Sequence, residues 1–157
     1  MRELPAFGLA AAAAAALASG PEASAQSRDL QRRLSAAVRI DCTFAALATA
    51  DWDGAAPQAN VQSAELTASF HDINIDEGTA ESASRFGDTF ISVRYSFGYL
   101  HFLQISDAGP LHITTVLAEE TENGRMKAVQ TRHEYSPTIL PGFTSRPEMY
   151  IGDCEVT

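Results

Sequence analysis

The sequence predicts an all-β domain: a small antiparallel meander, barrel or sandwich, with a short N-terminal helix and one disulfide that closes it. Three observations predict this fold class. The N-terminus has the pattern of a secretory signal, and two cysteines lie at opposite ends of the remaining chain. Between the cysteines, short alternating segments are separated by glycine turns. Together these features indicate one disulfide-closed β domain in an oxidising compartment.

The first 25 residues have the features of a signal peptide. Arg2 precedes an apolar, alanine-rich run over residues 6–18, and the small-x-small pattern at 23–25 matches a cleavage site. This run is shorter than the roughly 20 residues that span a bilayer. We therefore predict a signal peptide over 1–25, a single mature domain over 26–157 without a membrane span, and a periplasmic or secreted location. An uncleaved N-terminal anchor is the alternative.

The charge balance of the mature chain limits its partners. Without Arg2, Glu3 and Glu22, the chain carries 18 acidic and 10 basic side chains. A negative protein is not attracted to nucleic acid or to anionic membranes, so neither is expected as a partner. Lys127 is the only lysine, and with the many alanines it indicates a GC-rich bacterial genome.

The two cysteines, Cys42 and Cys154, allow a single intramolecular pairing, which an oxidising compartment favours. Such a bridge closes a loop of more than 100 residues, and the chain-entropy model gives it about 4–5 kcal/mol of stabilisation. An intermolecular bridge and two free thiols are the alternatives.

The elements are predicted from periodicity and from proline. A short helix is expected at 27–38, where Leu30, Leu34 and Val38 recur every four residues. The strand meander follows over 39–135, and its candidate strands are 39–49, 62–75, 88–95, 99–106, 111–119 and 126–135. Three prolines exclude a central strand at 136–150. The tail 136–157 is therefore expected to be a wrapped loop, packed or acting as a lid, before a terminal strand at 150–156.

Five turns carry glycine in third place, which favours three-residue hairpin loops that end in a left-handed residue. They are Trp52-Asp53-Gly54, Asp76-Glu77-Gly78, Ser96-Phe97-Gly98, Asp107-Ala108-Gly109 and Glu122-Asn123-Gly124. Loop length fixes the register, and the register decides which face of each strand points inward. The predicted inward pairs include Ile91–Leu103, Val93–His101, Tyr95–Tyr99, His101–Thr115, Leu103–Ile113, Thr115–Thr131 and Leu117–Val129.

This register gives an inner face that mixes aromatic and polar side chains, as small-ligand sites do. The candidate ligand-binding residues are Tyr95, Tyr99, His101, Thr115, His133 and Tyr135. In the alternative interpretation, His101 and His133 are core residues that bond to Thr115, to Thr131 or to a tyrosine hydroxyl.

The same register gives an outer face that is mostly polar. Its polar residues include Ser92, Arg94, Gln104, His112, Thr114, Gln130, Arg132 and Glu134. Phe90, Leu100 and Phe102 share that face and would need cover, so they form a candidate apolar patch for a partner.

No metal site, cofactor or catalytic residue is predicted. His101 and His133 would lie about 12 Å apart, too far to share one ion. The calcium-like stretch Asp72–Gly78 has its glycine one place late and Ala83 where the loop needs glutamate. The nucleophile elbow G-x-S-x-G does not occur in the sequence.

Three functions are compatible with these features. The first is a non-enzymatic exported β-barrel that binds a small molecule or an envelope protein partner. The second is a structural accessory subunit of an envelope or secreted complex. The third is an enzyme with a site at the barrel mouth.

Overall fold

The computed structural model describes residues 21–53, 55–83, 88–105, 110–133 and 147–157. These residues form one helix and eight strands. The elements are α1 (Pro21–Ser35), β1 (Arg39–Asp53), β2 (Ala56–Asn74), β3 (Thr79–Ala83), β4 (Thr89–Ser96), β5 (Tyr99–Ile105), β6 (Leu111–Glu120), β7 (Met126–His133) and β8 (Glu148–Val156). The short strand β3 was not predicted, and β8 begins two residues earlier than expected.

The eight strands form one antiparallel meander in which each strand pairs with the next along the chain. Strand β1 also pairs with β8, which closes the sheet into a ring. The predicted all-β meander is confirmed in its closed, barrel-like form.

The seam between β1 and β8 carries the predicted disulfide. Cys42 and Cys154 are directly opposite each other in the register, and their sulfurs are bonded across 112 residues of sequence. Arg125 reinforces the seam from outside: its Nε donates to Asp153 Oδ1 at 2.5 Å, and its Nη2 donates to the backbone oxygen of Asp41 at 3.2 Å. The bond therefore joins the first and last strands, and its prediction is confirmed.

A bulge in β1 brings the seam strands unusually close. The register of β1 shifts between Phe44 and Ala46 against both of its neighbours. Gly152 lies opposite Phe44, where a Cβ atom would come within 2.0 Å of the backbone oxygen of Thr43. Only glycine fits there, because a backbone atom cannot swing aside as a side chain can.

Helix α1 covers one end of the ring. Leu30 and Leu34 are buried in the main core, and the Tyr95 hydroxyl donates to the backbone oxygen of Gln31 at 3.3 Å. Arg33 pairs with Glu120 at 2.6 Å. The helix starts and ends earlier than predicted, so Val38 lies beyond it and is exposed. Within the described ranges, no helix is long and apolar enough to cross a membrane.

The middle of the ring is filled by aromatic side chains. Phe44, Phe70 and Phe102 are buried, and the rings of Phe70 and Phe102 stack with centroids 4.0 Å apart. Leu100 and Val116 are fully buried beside them. The interior at this level is a packed core and not a lumen.

The turn between β4 and β5 has two residues, not three. Ser96 is opposite Tyr99, and both Phe97 (φ 48°) and Gly98 (φ 85°) are left-handed, as in a type I′ turn. The prediction of a three-residue loop is wrong here, because the loop is one residue shorter. A one-residue slip moves every side chain of a strand to the opposite face of the sheet. Leu100 and Phe102 of β5 therefore point inward.

The turn between β6 and β7 follows the prediction only at its tip. Thr121 N–H donates to the oxygen of Arg125, and Gly124 is left-handed (φ 73°), so the loop has three residues. The register then shifts by two places between Val116 and Glu120. The predicted pairs of Thr115 with Thr131 and of Leu117 with Val129 are therefore wrong, and Thr115 lies opposite Val129.

The other turns vary in length. Asp53 pairs with Ala56, which leaves two residues between β1 and β2. Asn74 pairs with Thr79, which leaves four, and the Asn74 side chain accepts the N–H of Glu77 at 3.0 Å. The predicted β5–β6 pairs, including Leu103 with Ile113, are confirmed, while the turn at 107–109 lies outside the described residues.

Candidate functional site

The predicted lumen residues do not come together inside the ring. Tyr99, His101, Thr115 and His133 lie on the outer face, because β5 to β7 are inverted relative to the prediction. Of the five predicted residues that the structure describes, Tyr95 is the one that packs against the core. The sixth residue, Tyr135, lies outside the described residues, as do Glu134 and residues 136–146 of the tail.

The two histidines of that set bond to neighbouring threonines on the outer surface. His101 Nδ1 lies 2.9 Å from Thr115 Oγ1, and His133 Nε2 lies 3.1 Å from Thr131 Oγ1. The alternative interpretation therefore named the right partners but placed them wrongly in the core. The Tyr99 ring stacks beside His101 with centroids 6.2 Å apart.

Polar side chains instead meet inside the ring at the end away from α1. They come from two adjacent cross-strand rows, which we call the inner polar cluster. One row is Thr114, Gln130 and Tyr150; the other is Gln104, His112, Arg132 and Glu148. Strand alternation puts these residues on the same face as Leu100, Phe102 and Val116. The ring interior therefore changes from apolar to polar along its axis.

Glu148 is the most buried charged group of this cluster. Its residue is only 6% exposed, a costly place for a carboxylate unless it is paired and hydrogen-bonded. The Tyr150 hydroxyl donates to Glu148 Oε2 at 3.0 Å, and Arg132 Nη1 lies 3.8 Å from the same oxygen. The strand register explains why these three side chains meet. Arg132 lies directly opposite Glu148. Tyr150 lies two residues after Glu148 on β8 and therefore points to the same face.

The electrostatics of the cluster keep Tyr150 protonated. Burial raises the pKa of its phenol above the ordinary value of 10.0, and the hydrogen bond to the Glu148 carboxylate raises it further. A neutral phenol remains a hydrogen-bond donor throughout the neutral pH range. The cluster thus holds a carboxylate that accepts a hydrogen bond from a phenol and forms an ion pair with an arginine.

Gln130 adds an acceptor that has no protein partner in the described parts of the chain. Its Oε1 atom is buried and makes no hydrogen bond there. Leaving a buried acceptor unsatisfied costs about 1–3 kcal/mol, so such groups usually meet water or a ligand. Thr114, its cross-strand neighbour, is also buried.

Sequence reasoning missed this cluster because of the turn at 96–98. Gln104, His112, Thr114, Gln130 and Arg132 were predicted on the outer face, and Glu148 fell within the predicted loop. One signal could have revealed the inversion: Leu100 and Phe102 needed cover on the predicted outer face. Choosing the two-residue turn would have buried both and brought the polar rows inside.

Comparison of the chain with known proteins identifies no relative. No family model, curated protein or solved structure matches it.

Proposed function

We propose that this protein is a non-enzymatic, exported binding protein that holds a small polar molecule in the inner polar cluster. The molecule would present hydrogen-bond donors, such as amine, amide or hydroxyl groups. The observation that carries the proposal is the pair of buried acceptors, the Glu148 carboxylate and the Gln130 amide oxygen, within the same two rows.

The residues next to the cluster support this location. Below the cluster, the next row consists of Leu100, Val116, Ala128 and Gly152, and α1 covers the far end. A ligand held by the cluster would therefore rest on an apolar floor. Binding sites commonly combine an apolar wall with a few polar groups that fix orientation.

Export to the periplasm or the outside of the cell is part of the proposal. The Cys42–Cys154 bond supports it, since disulfides persist in oxidising compartments. The signal-like segment 1–25 supports it independently.

Native mass spectrometry of protein recovered from an oxidising bacterial envelope tests the function. We expect one small molecule per chain in the wild type and none in Gln130→Leu. Gln58→Leu is the matched control, because Gln58 is an exposed glutamine of β2. A wild type that is always empty, or a Gln130→Leu variant that retains the molecule, contradicts the proposal. Chemical conversion of the molecule during incubation would contradict the non-enzymatic part.

A second candidate is a complex with an envelope protein, in which this chain is an accessory subunit. The predicted patch of Phe90, Leu100 and Phe102 is wrong, since Leu100 and Phe102 are buried. An apolar surface exists elsewhere on the outer face, which we define by its residues Leu103, Ile105, Leu111, Ile113, Leu117, Val129, Met149 and Ile151. Ile105, Met149 and Ile151 are exposed there, and exposed apolar patches are typical of interfaces.

The same spectra distinguish the two candidates. An accessory subunit would carry a stoichiometric second polypeptide that Ile151→Glu releases and Gln130→Leu keeps. A monomer in every preparation contradicts the accessory role.

A further inference from the structure

Three side chains with metal-binding atoms meet on the outer face of β2 to β4, separate from the inner polar cluster. His71 on β2 is directly opposite Glu81 on β3, and Asp88 immediately precedes β4. Glu81 is opposite Phe90, and Asp88 shares the face of Phe90 because residues two apart in a strand point the same way. The ligand atoms of His71, Glu81 and Asp88 all lie within 4.8 Å of one another.

The imidazole of His71 is oriented by a fourth residue, Asp72. Its Nδ1 lies 3.1 Å from Asp72 Oδ2, and its Nε2 lies 3.5 Å from Asp88 Oδ2. Neighbours in a regular strand point to opposite faces. Here the strand has a bulge between His71 and Asn74, and Asp72 adopts a left-handed conformation (φ 49°), so its carboxylate reaches the adjacent ring.

This contact selects a tautomer suited to a metal ion. When Asp72 accepts the proton of Nδ1, the lone pair of His71 lies on Nε2, which faces Asp88. A carboxylate behind a ligating histidine is the usual outer-shell partner in protein metal sites, where it fixes the ring and raises its basicity.

The donor set indicates the class of ion. One imidazole nitrogen with two carboxylates suits first-row ions such as Zn²⁺, whereas Ca²⁺ and Mg²⁺ prefer oxygen ligands alone. The Asp88 side chain is half exposed, which leaves room for water at the remaining positions. Sequence reasoning considered only His101 and His133 as zinc ligands, because β3 was not predicted and nothing placed Glu81 beside His71.

We propose that His71, Glu81 and Asp88 bind a divalent first-row transition ion, represented by Zn²⁺, and that Asp72 is a positioning residue for the imidazole. The ion links β2, β3 and the start of β4, the part of the ring that contains its shortest strand. Its presence does not depend on the inner polar cluster, which lies on the opposite face of the sheet.

Calorimetric titration of the metal-stripped, disulfide-bonded protein with ZnCl₂ tests the site. We expect one ion per chain in the wild type and no measurable binding in His71→Ala. Asp72→Asn should keep the stoichiometry but weaken binding by about 10–100-fold, the usual effect of losing an outer-shell partner. His133→Ala is the matched control, because His133 is an exposed histidine on the same outer face whose partner is Thr131.

Glu81→Gln provides a second variant if His71→Ala does not fold, and it too should weaken binding. Co²⁺ absorption spectra of the wild type should change in His71→Ala and not in His133→Ala. The proposal is overturned if the wild type takes up no Zn²⁺, if His71→Ala binds like the wild type, or if His133→Ala loses binding equally.

Discussion

The two ends of the ring are filled by different chemistry. At the end covered by α1, the interior holds Leu34, Ile40 and Met126, all buried, and the disulfide joins the seam strands. At the other end, the same face of the sheet turns polar and buries Glu148. Apolar burial and a covalent bond stabilise a fold, whereas buried polar groups cost free energy unless they are fully paired.

This contrast separates the stabilising end of the sheet from the proposed binding site. The end covered by α1 contains the apolar core and the disulfide, which stabilise a small domain. The polar end contains a buried carboxylate and an acceptor without a partner among the described residues, which stability alone does not require. Such local conflicts with folding rules are typical of functional sites.

The largest effect is expected from the disulfide at the helix end. Cys42→Ala with Cys154→Ala should lower the free energy of unfolding by about 4–5 kcal/mol, because the unfolded chain loses a long-range constraint. Equilibrium denaturation with urea measures this loss. A change below about 1 kcal/mol would show that the seam is stabilised mainly by strand pairing.

The next largest effect tests which face is inside. Leu100→Ala should cost about 3 kcal/mol, since Leu100 is fully buried, whereas Leu103→Ala on the outer face should cost less than about 1 kcal/mol. The two leucines are three residues apart on one strand and are a matched pair in urea denaturation. If both variants lose the same free energy of unfolding, or if Leu103→Ala loses more, the turn at 96–98 has three residues, as the sequence predicted.

An intermediate effect is expected at the polar end. Glu148→Gln keeps the shape but removes the charge beside Arg132, which should cost about 1–2 kcal/mol. The pKa of Tyr150 should fall yet stay above 10, because burial is the larger cause of its elevation. Tyrosine NMR titration with ¹³Cζ labels measures this shift, and an unchanged pKa would argue against the Tyr150–Glu148 bond.

The pH dependence at high pH has a defined sign. Because the folded protein holds the Tyr150 proton more tightly than the unfolded chain, the stabilisation is complete below the unfolded pKa of about 10. It is lost as the pH rises through the folded value. Tyr150→Phe should remove this alkaline loss.

The smallest pH effect is expected at the exposed side of the seam. Hydrogen bonds from Arg39 and then from Ser69 lower the pKa of Asp41 below its ordinary 3.8. The stabilisation that ionised Asp41 contributes is therefore present at pH values above its ordinary pKa. It is lost as the pH falls through the lower pKa of the folded protein. Half-exposed ion pairs contribute less than about 1 kcal/mol, so Asp41→Asn should flatten the acid limb of the stability curve only slightly.

Sequence reasoning was accurate where the signal is local or covalent. The cysteine pair, the strand meander and the glycine at the 122–124 turn were predicted because each depends on residue type and spacing. The inner polar cluster was not predicted, because its position inside the ring depends on whether the turn at 96–98 has two residues or three. Gly98 permits both lengths, and only the burial of Leu100 and Phe102 decides between them.

Gln130→Leu gives the most direct test of the contrast between the two ends. Replacing an amide whose buried oxygen has no partner among the described residues with an apolar side chain of similar size is close to neutral or favourable. We expect the free energy of unfolding of the ligand-free variant to equal that of the wild type or exceed it by up to about 1 kcal/mol. A loss of about 2 kcal/mol or more, as in a core truncation, would show that Gln130 stabilises the fold and would contradict the account.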